Sequence, residues 1–292
     1  MRYGICLPNF TDVASPDTID AAAGTAERLG WETVWTTDHV LVDRGDDSTD
    51  YRTNYDAIQT LAWVAGRHPR VRLGTSVIVV PQRNAVVLAK ELATLDALSG
   101  GRAIAGVGVG WNEREFANIG VSEQFRVRGA YLDETIGLWR HLWSGSTEPF
   151  RGRFHEFDDF IFGPVPAQGG ALPILVGGRA EAALRRAGSV ADGYHSSAAA
   201  PGALAKRIPV IREAAEAAGR PMPEVSARVR VEFGPAKDRY YAMRGSAEEV
   251  AAEVRAFAEL GVEHLALAFM DLPKAELVAA MERFAAEVEP VV

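Results

Sequence analysis

The chain has 292 residues, 48% of them hydrophobic, and a formal net charge of −8, which suits one large domain with a buried core rather than a basic nucleic-acid binder. A lone cysteine, Cys6, excludes an internal disulfide framework and fits a reducing compartment; it sits in an apolar run and reads as core packing. No apolar run approaches the ~20 residues of a membrane span, and the opening MRYGICLPNF reads as a strand rather than a signal peptide, so a cytoplasmic protein without membrane contact is expected.

Short β-branched runs alternate with longer segments of helical period, the mark of a parallel α/β fold. A strand over Tyr3–Leu7 leads to a helix over Pro16–Leu29, with Ser15 as N-cap, Pro16 at the first position and Gly30 just past the end. Strand Thr33–Thr37 precedes a helix over Tyr55–Gly66. Val71–Val79 is almost wholly apolar, as a parallel strand covered on both faces should be, and is followed by helix Ala85–Leu98. Ala103–Val107 forms the fourth strand, with helices over Glu113–Asn118 and Val127–Trp143. The pattern breaks at Gly145–Ala171, rich in Gly, Pro and Phe; a loop of that length is functional or an insertion. It resumes with strand Pro173–Val176, helix Ala180–Ala187, strand Asp192–Ser196, helix Pro201–Ala218, strand Glu224–Phe233, helix Ala247–Leu260, strand His264–Phe269 and helix Pro273–Val288. Eight strand–helix units in one order predict a (β/α)8 TIM barrel with insertion loops, one domain over residues 1–292.

Such barrels build their active sites at the C-terminal strand ends, which directs attention to Asn9, to Asp38 and His39, to Thr75, Ser76 and Val77, to Gly106 through Glu113, and to Gly177, Gly178 and Arg179. Asp38 beside His39 is either a carboxylate tuning an imidazole or a satisfied strand-end hydrogen bond. Scattered histidines with neither H-x-H nor H-E-x-x-H argue against a metal. The run Gly106-Val107-Gly108-Val109-Gly110 lets backbone approach a flat ligand, or serves a tight turn; it lacks the dinucleotide fingerprint. Gly177-Gly178-Arg179 opens a helix, where free N–H groups, the helix dipole and a guanidinium can hold a phosphate, unless it is a plain turn with a solvent-facing arginine. Trp111 follows the glycine run at the expected pocket mouth, whereas the other tryptophans read mostly as core.

Taken in order, YGICLPNF, WETVWTTDHV, RLGTSVIVVP, GVGVGWNEREF, PILVGGR and RAGSVADGYH resemble the luciferase-like monooxygenase superfamily, in particular its actinobacterial branch that uses coenzyme F420. The resemblance implies a bacterial-luciferase-like barrel that transfers a hydride between a deazaflavin and a small organic substrate. It implies Asp38 and His39 at the reactive face, a bulge at Thr75, Ser76 and Val77 with a cis Ser76–Val77 peptide behind the ring, Gly106 and Gly108 beside the ring, and Gly177, Gly178 and Arg179 around the phosphate. Sugar-phosphate dehydrogenases of that family carry an acidic residue directly after the strand-four glycines. Here Trp111 stands there, with Glu113 two positions on, which weighs against a sugar phosphate.

These readings converge on an F420-dependent oxidoreductase, with His39 as proton donor or electrostatic stabiliser oriented by Asp38, with Asn9, Trp111 and Glu113 at the substrate, and with Leu41–Asn54 and Gly145–Ala171 as a lid. A homodimer is expected. The rivals are an FMN-dependent monooxygenase served by a partner reductase, and a non-catalytic barrel that carries flavin or deazaflavin.

Overall fold

The computed structural model describes residues 1–45, 51, 53–234 and 240–292. Its parallel strands are β1 (Arg2–Cys6), β2 (Thr33–Thr36), β3 (Arg72–Thr75), β4 (Ala103–Gly108), β5 (Ile174–Gly177), β6 (Gly193–Ser197), β7 (Glu224–Glu232) and β8 (His264–Ala268). Each pairs with its successor, and β8 closes the ring beside β1, with Arg2 opposite His264 and Ile5 opposite Leu267. The helices are α1 (Pro16–Leu29), α2 (Ala57–Ala65), α3 (Ala85–Ser99), α4 (Glu113–Asn118), α5 (Ser122–Trp143), α6 (Glu181–Val190), α7 (Pro201–Ala217), α8 (Ala247–Glu259) and α9 (Lys274–Glu287). The result is a closed (β/α)8 barrel. No helix among the described residues is long and apolar enough to cross a membrane.

Local chemistry sets the helix limits. Ser15 accepts the Thr18 N–H at 3.1 Å, and Gly30 leaves α1 in the left-handed region at φ 77°. Ser246 and Glu249 cap each other's backbone at the start of α8. Alternate strand residues face outward: Ile5, Leu7, Val34 and Leu73 are fully buried in the layer between strands and helices.

The other strand face fills the barrel. Trp35, Cys6, Ile104, Leu175, Ala266 and Ala268 form a separate inner cluster. Trp35 occupies its centre because two neighbours lack side chains: a Cβ on Gly74 would lie 2.3 Å from Trp35 Cε3, and one on Gly4 3.0 Å from its Nε1. Trp35→Ala would cost about 3–5 kcal/mol through the cavity it leaves.

Two expected elements differ. Val71–Val79 is not one strand: after β3 the chain makes the cis Ser76–Val77 peptide, and Ile78–Val79 then pairs with the end of β4. Gly145–Ala171 is not a lid. Its Phe150–Arg151 and Glu156–Phe157 pair as an antiparallel hairpin, His155 bonds Glu134 of α5 at 3.0 Å, and Gln168 bonds Asp96 of α3 at 2.7 Å. The segment lies against α3 and α5, with Phe154 and His155 packed on Tyr131. Part of the other expected lid, Leu41–Asn54, lies outside the described residues.

Candidate active site

Asp38 and His39 leave the end of β2 in opposite directions, as neighbours on extended chain do. The Asp38 carboxylate turns away from the mouth and is wholly buried. It accepts the Val79 N–H at 2.8 Å and an Arg83 Nη2–H at 2.8 Å. Burial pushes its carboxyl up, while the Arg83 guanidinium and the Val79 N–H pull the other way. It therefore fixes the bulge after β3 to β2 and does not orient His39, which corrects the sequence expectation for this residue.

The group that orients His39 is Glu115 of α4, a residue the sequence reading passed over. Its carboxylate meets His39 Nδ1 at 3.0 Å and accepts the Val40 N–H at 2.6 Å. Burial pushes Glu115 toward its neutral form, but His39, the neighbouring Gln82 amide and, least, the Val40 N–H together outweigh this and hold it below the usual carboxylate range. A carboxylate at Nδ1 assigns the proton to that nitrogen and leaves Nε2 for a ligand. Asn112 caps α4 by accepting the Arg114 N–H at 3.1 Å, and so places Glu115 one turn in, facing the barrel. Glu113, the expected substrate residue, is exposed on the other side. The signal available in the sequence was Phe116: a buried aromatic beside Glu115 marks that face of α4 as inward.

Around His39 the rim is aromatic. Tyr51 packs on its ring at 4.0 Å, Trp111 stands edge-on at 6.0 Å and is 54% exposed, and Phe10 stacks with Tyr51 at 5.6 Å. Asn9 is not at the ligand face. It is fully buried, with its amide donating to the Thr37 and Tyr55 carbonyls and its oxygen accepting the Thr37 N–H.

The opposite wall is smooth, for a reason other than direct approach to a ligand. A Cβ on Gly108 would lie 2.6 Å from Val77 Cγ2, and one on Gly177 2.9 Å from Val77 Cγ1, so these glycines seat the Val77 side chain. Gly106 admits the chain reversal itself, since its Cβ would meet the Thr75 carbonyl oxygen at 1.8 Å. Thr75 is buried and donates to the Gly106 carbonyl at 2.6 Å. Thr75, Gly106, Gly108 and Gly177 thus build the bed, and Val77 surfaces it.

Beneath the bed Ser76 Oγ shares a hydrogen bond with His195 Nε2 at 2.8 Å, and His195 Nδ1 shares one with Ser226 Oγ at 2.8 Å. His195 stacks on Trp35 at 4.6 Å. Burial lowers its pKa to about 3, with His264 and Arg228 adding to the shift, so the ring is neutral at physiological pH. From β7, Arg228 reaches across the barrel and donates to the Ser76 carbonyl at 3.0 Å.

Gly178 (φ 135°) and the exposed Arg179 lead into α6, whose N-cap Ala180 offers no side-chain acceptor. The helices after β1, β2 and β3 are each capped by a side chain, from Ser15, Asp56 and Asn84. The open start of α6 leaves N–H donors for an anion. Among the described residues no cluster of His, Cys, Asp and Glu could hold a metal ion.

A smooth apolar bed, a carboxylate-held imidazole across from it and an open helix start thus lie at one end of the barrel. Residues 1–244 match the family model described as luciferase-like monooxygenase. An F420-dependent glucose-6-phosphate dehydrogenase of Amycolatopsis mediterranei is 32% identical over 228 residues, 76% of this chain and 66% of that protein. The chain thus spans about two thirds of that relative's length. Two solved structures share the fold across 100% of this chain. One is an F420-dependent secondary alcohol dehydrogenase in complex with an F420–acetone adduct, with TM-score 0.83, 20% identity and 99% of that chain covered. The other is the oxygenating constituent of 3,6-diketocamphane monooxygenase from a Pseudomonas putida plasmid, with FMN, TM-score 0.82, 15% identity and 98% of that chain covered. The chain belongs to the luciferase-like monooxygenase family.

Proposed function

We propose that this protein is an F420-dependent oxidoreductase acting on a small organic substrate in the cytoplasm, as a homodimer. The observation that carries the reading is the His39–Glu115 pair standing opposite the Val77 bed at one end of the barrel. The residues present fit a planar cofactor with an anionic tail. The Val77 face, backed by Gly108 and Gly177, would take the ring, and the uncapped start of α6 with Arg179 would take the phosphate. Bound there, coenzyme F420 supplies a two-electron hydride donor or acceptor.

The protein's own part is proton handling and exclusion of water. His39 Nε2, freed by the carboxylate on Nδ1, takes the proton from a substrate hydroxyl or returns it to a carbonyl oxygen. Glu115 stabilises the imidazolium that results, as the buried carboxylate of a catalytic dyad does. Tyr51 and Trp111 flank that nitrogen and narrow the path for solvent.

Quenching of F420 fluorescence on titration with the purified protein tests the reading, alongside FMN. Tighter binding of F420 is expected. Equal or tighter binding of FMN would replace it with the monooxygenase served by a partner reductase, and tight binding without turnover on any alcohol or carbonyl offered would leave a carrier. Sedimentation velocity would measure the homodimer.

A further inference from the structure

Arg228 of β7 has no carboxylate partner among the described residues, unlike the arginine that follows the strand. Arg244 pairs with Glu232 at 2.8 Å, and Arg230 lies over the Tyr240 ring at 4.8 Å. Arg228 has the Ser76 carbonyl at 3.0 Å and the Phe10 ring at 5.4 Å, and no carboxylate among the described residues pairs with it. Its single hydrogen bond is instructive, because β3 and β7 are four strands apart whichever way the ring is counted. The side chain therefore crosses the barrel to the bulge after β3. A guanidinium carries five N–H donors, and one of them is used among the described residues. Charges drawn out of water are normally paired, so a half-buried guanidinium with no carboxylate partner among the described residues, beside the Val77 bulge, points to an anion that arrives with the ligand.

The position also selects which ligand. Phe10, against which Arg228 packs, continues through Tyr51 to His39, so an anion held by Arg228 lies on the side of the proton-transferring nitrogen. We propose that Arg228 selects substrates bearing a carboxylate, held by its free N–H fork beside Phe10 while the reacting carbon faces the bed. This rests on the oxidoreductase reading and adds the substrate class to it. The planar fork suits a carboxylate better than a point charge would.

The test compares benzoate with benzamide, and acetate with acetamide, on the wild-type protein and on Arg228→Gln and Arg228→Lys. Binding is read from the rise in thermal midpoint and from tryptophan fluorescence. Wild type should bind at least one acid about tenfold or more tighter than its amide, Arg228→Lys should keep part of that ratio, and Arg228→Gln should bring it to about one, with circular dichroism unchanged. If Arg228→Gln does not fold, the reduced ratio in Arg228→Lys carries the test. Equal binding of acid and amide to wild type, binding of neither, or an undiminished ratio in both variants would overturn the proposal. So would loss of F420 quenching in Arg228→Gln with the acid preference intact, which would assign the arginine to the cofactor. Should wild type ignore F420 yet show an Arg228-dependent preference for the acid, the oxidoreductase reading falls and carboxylate recognition stands.

Discussion

On the β2 side of the mouth the charges at the rim are answered from within. Asp38 has Arg83 and the Val79 N–H, and His39 has Glu115, which in turn holds the Val40 N–H. On the β5–β7 side, Arg228 has a carbonyl and a ring but no carboxylate, and α6 begins without a side-chain cap next to the exposed Arg179. A hydrogen-bonded network on one side fixes the His39 ring in place; on the other, donors without side-chain acceptors among the described residues are where the proposed ligands would bring theirs. A group that must act is held by neighbours, whereas a group that must bind is left wanting a partner.

The comparison breaks most visibly at His39. His39→Ala should lower turnover by about 10²–10⁴-fold and change the F420 dissociation constant far less, as stopped-flow reduction and quenching titration would measure. Glu115→Gln should lower turnover less and alter its pH profile, since it removes the charge behind Nδ1 while keeping the shape. Wild-type rates in both variants would make the β2 side a scaffold only. Asp38→Ala removes one member of a buried ion pair and should cost about 3–5 kcal/mol of stability, read from urea denaturation; retained stability with lost catalysis would return Asp38 to the chemistry. Across the mouth, Arg179→Ala deletes an exposed charge and should weaken F420 binding by about tenfold, the scale of one charge-assisted hydrogen bond, with the melting temperature unchanged.

The last effect sits under both walls and shows only in acid. His195 is held neutral when folded, its pKa lowered to about 3 from the 6.5 of an unperturbed histidine. The unfolded chain therefore binds the extra proton first, and stability should fall as pH drops from about 6.5 toward 3 and be fully present above that window. His195→Asn should flatten the slope of urea midpoints measured across it, though His264, lowered to about 3 by burial and nearby arginines, will keep part of it.

Much of this was legible in the chain. The Ser15-Pro16 start and Gly30 stop fix α1, and Glu113–Asn118 emerges as α4 with the bounds read from the sequence. Alternation along an extended chain sets the neighbours Asp38 and His39 on opposite sides, against the expectation that one orients the other. What each would meet was not legible: Glu115 is 76 residues from His39 and Arg83 is 45 from Asp38, separations that only barrel closure brings together. Gly106 and Gly108 were read as room for a flat ligand, and Gly177 as part of a phosphate cradle, because Val77, the side chain seated by Gly108 and Gly177, comes from another part of the chain. Arg228 looked like one more strand residue until the barrel it crosses was assembled.

The tryptophan that fills the barrel has a kinetic consequence. With Trp35 set between Gly4 and Gly74, the barrel is a vessel closed at its base, and whatever rests deepest must enter first and leave last. A ring laid on the Val77 bed would be covered by the molecule that follows it past Trp111. Initial velocities should then show a compulsory order, with cofactor leading. The departing cofactor should compete with the entering cofactor for the free protein, whereas the organic product should not.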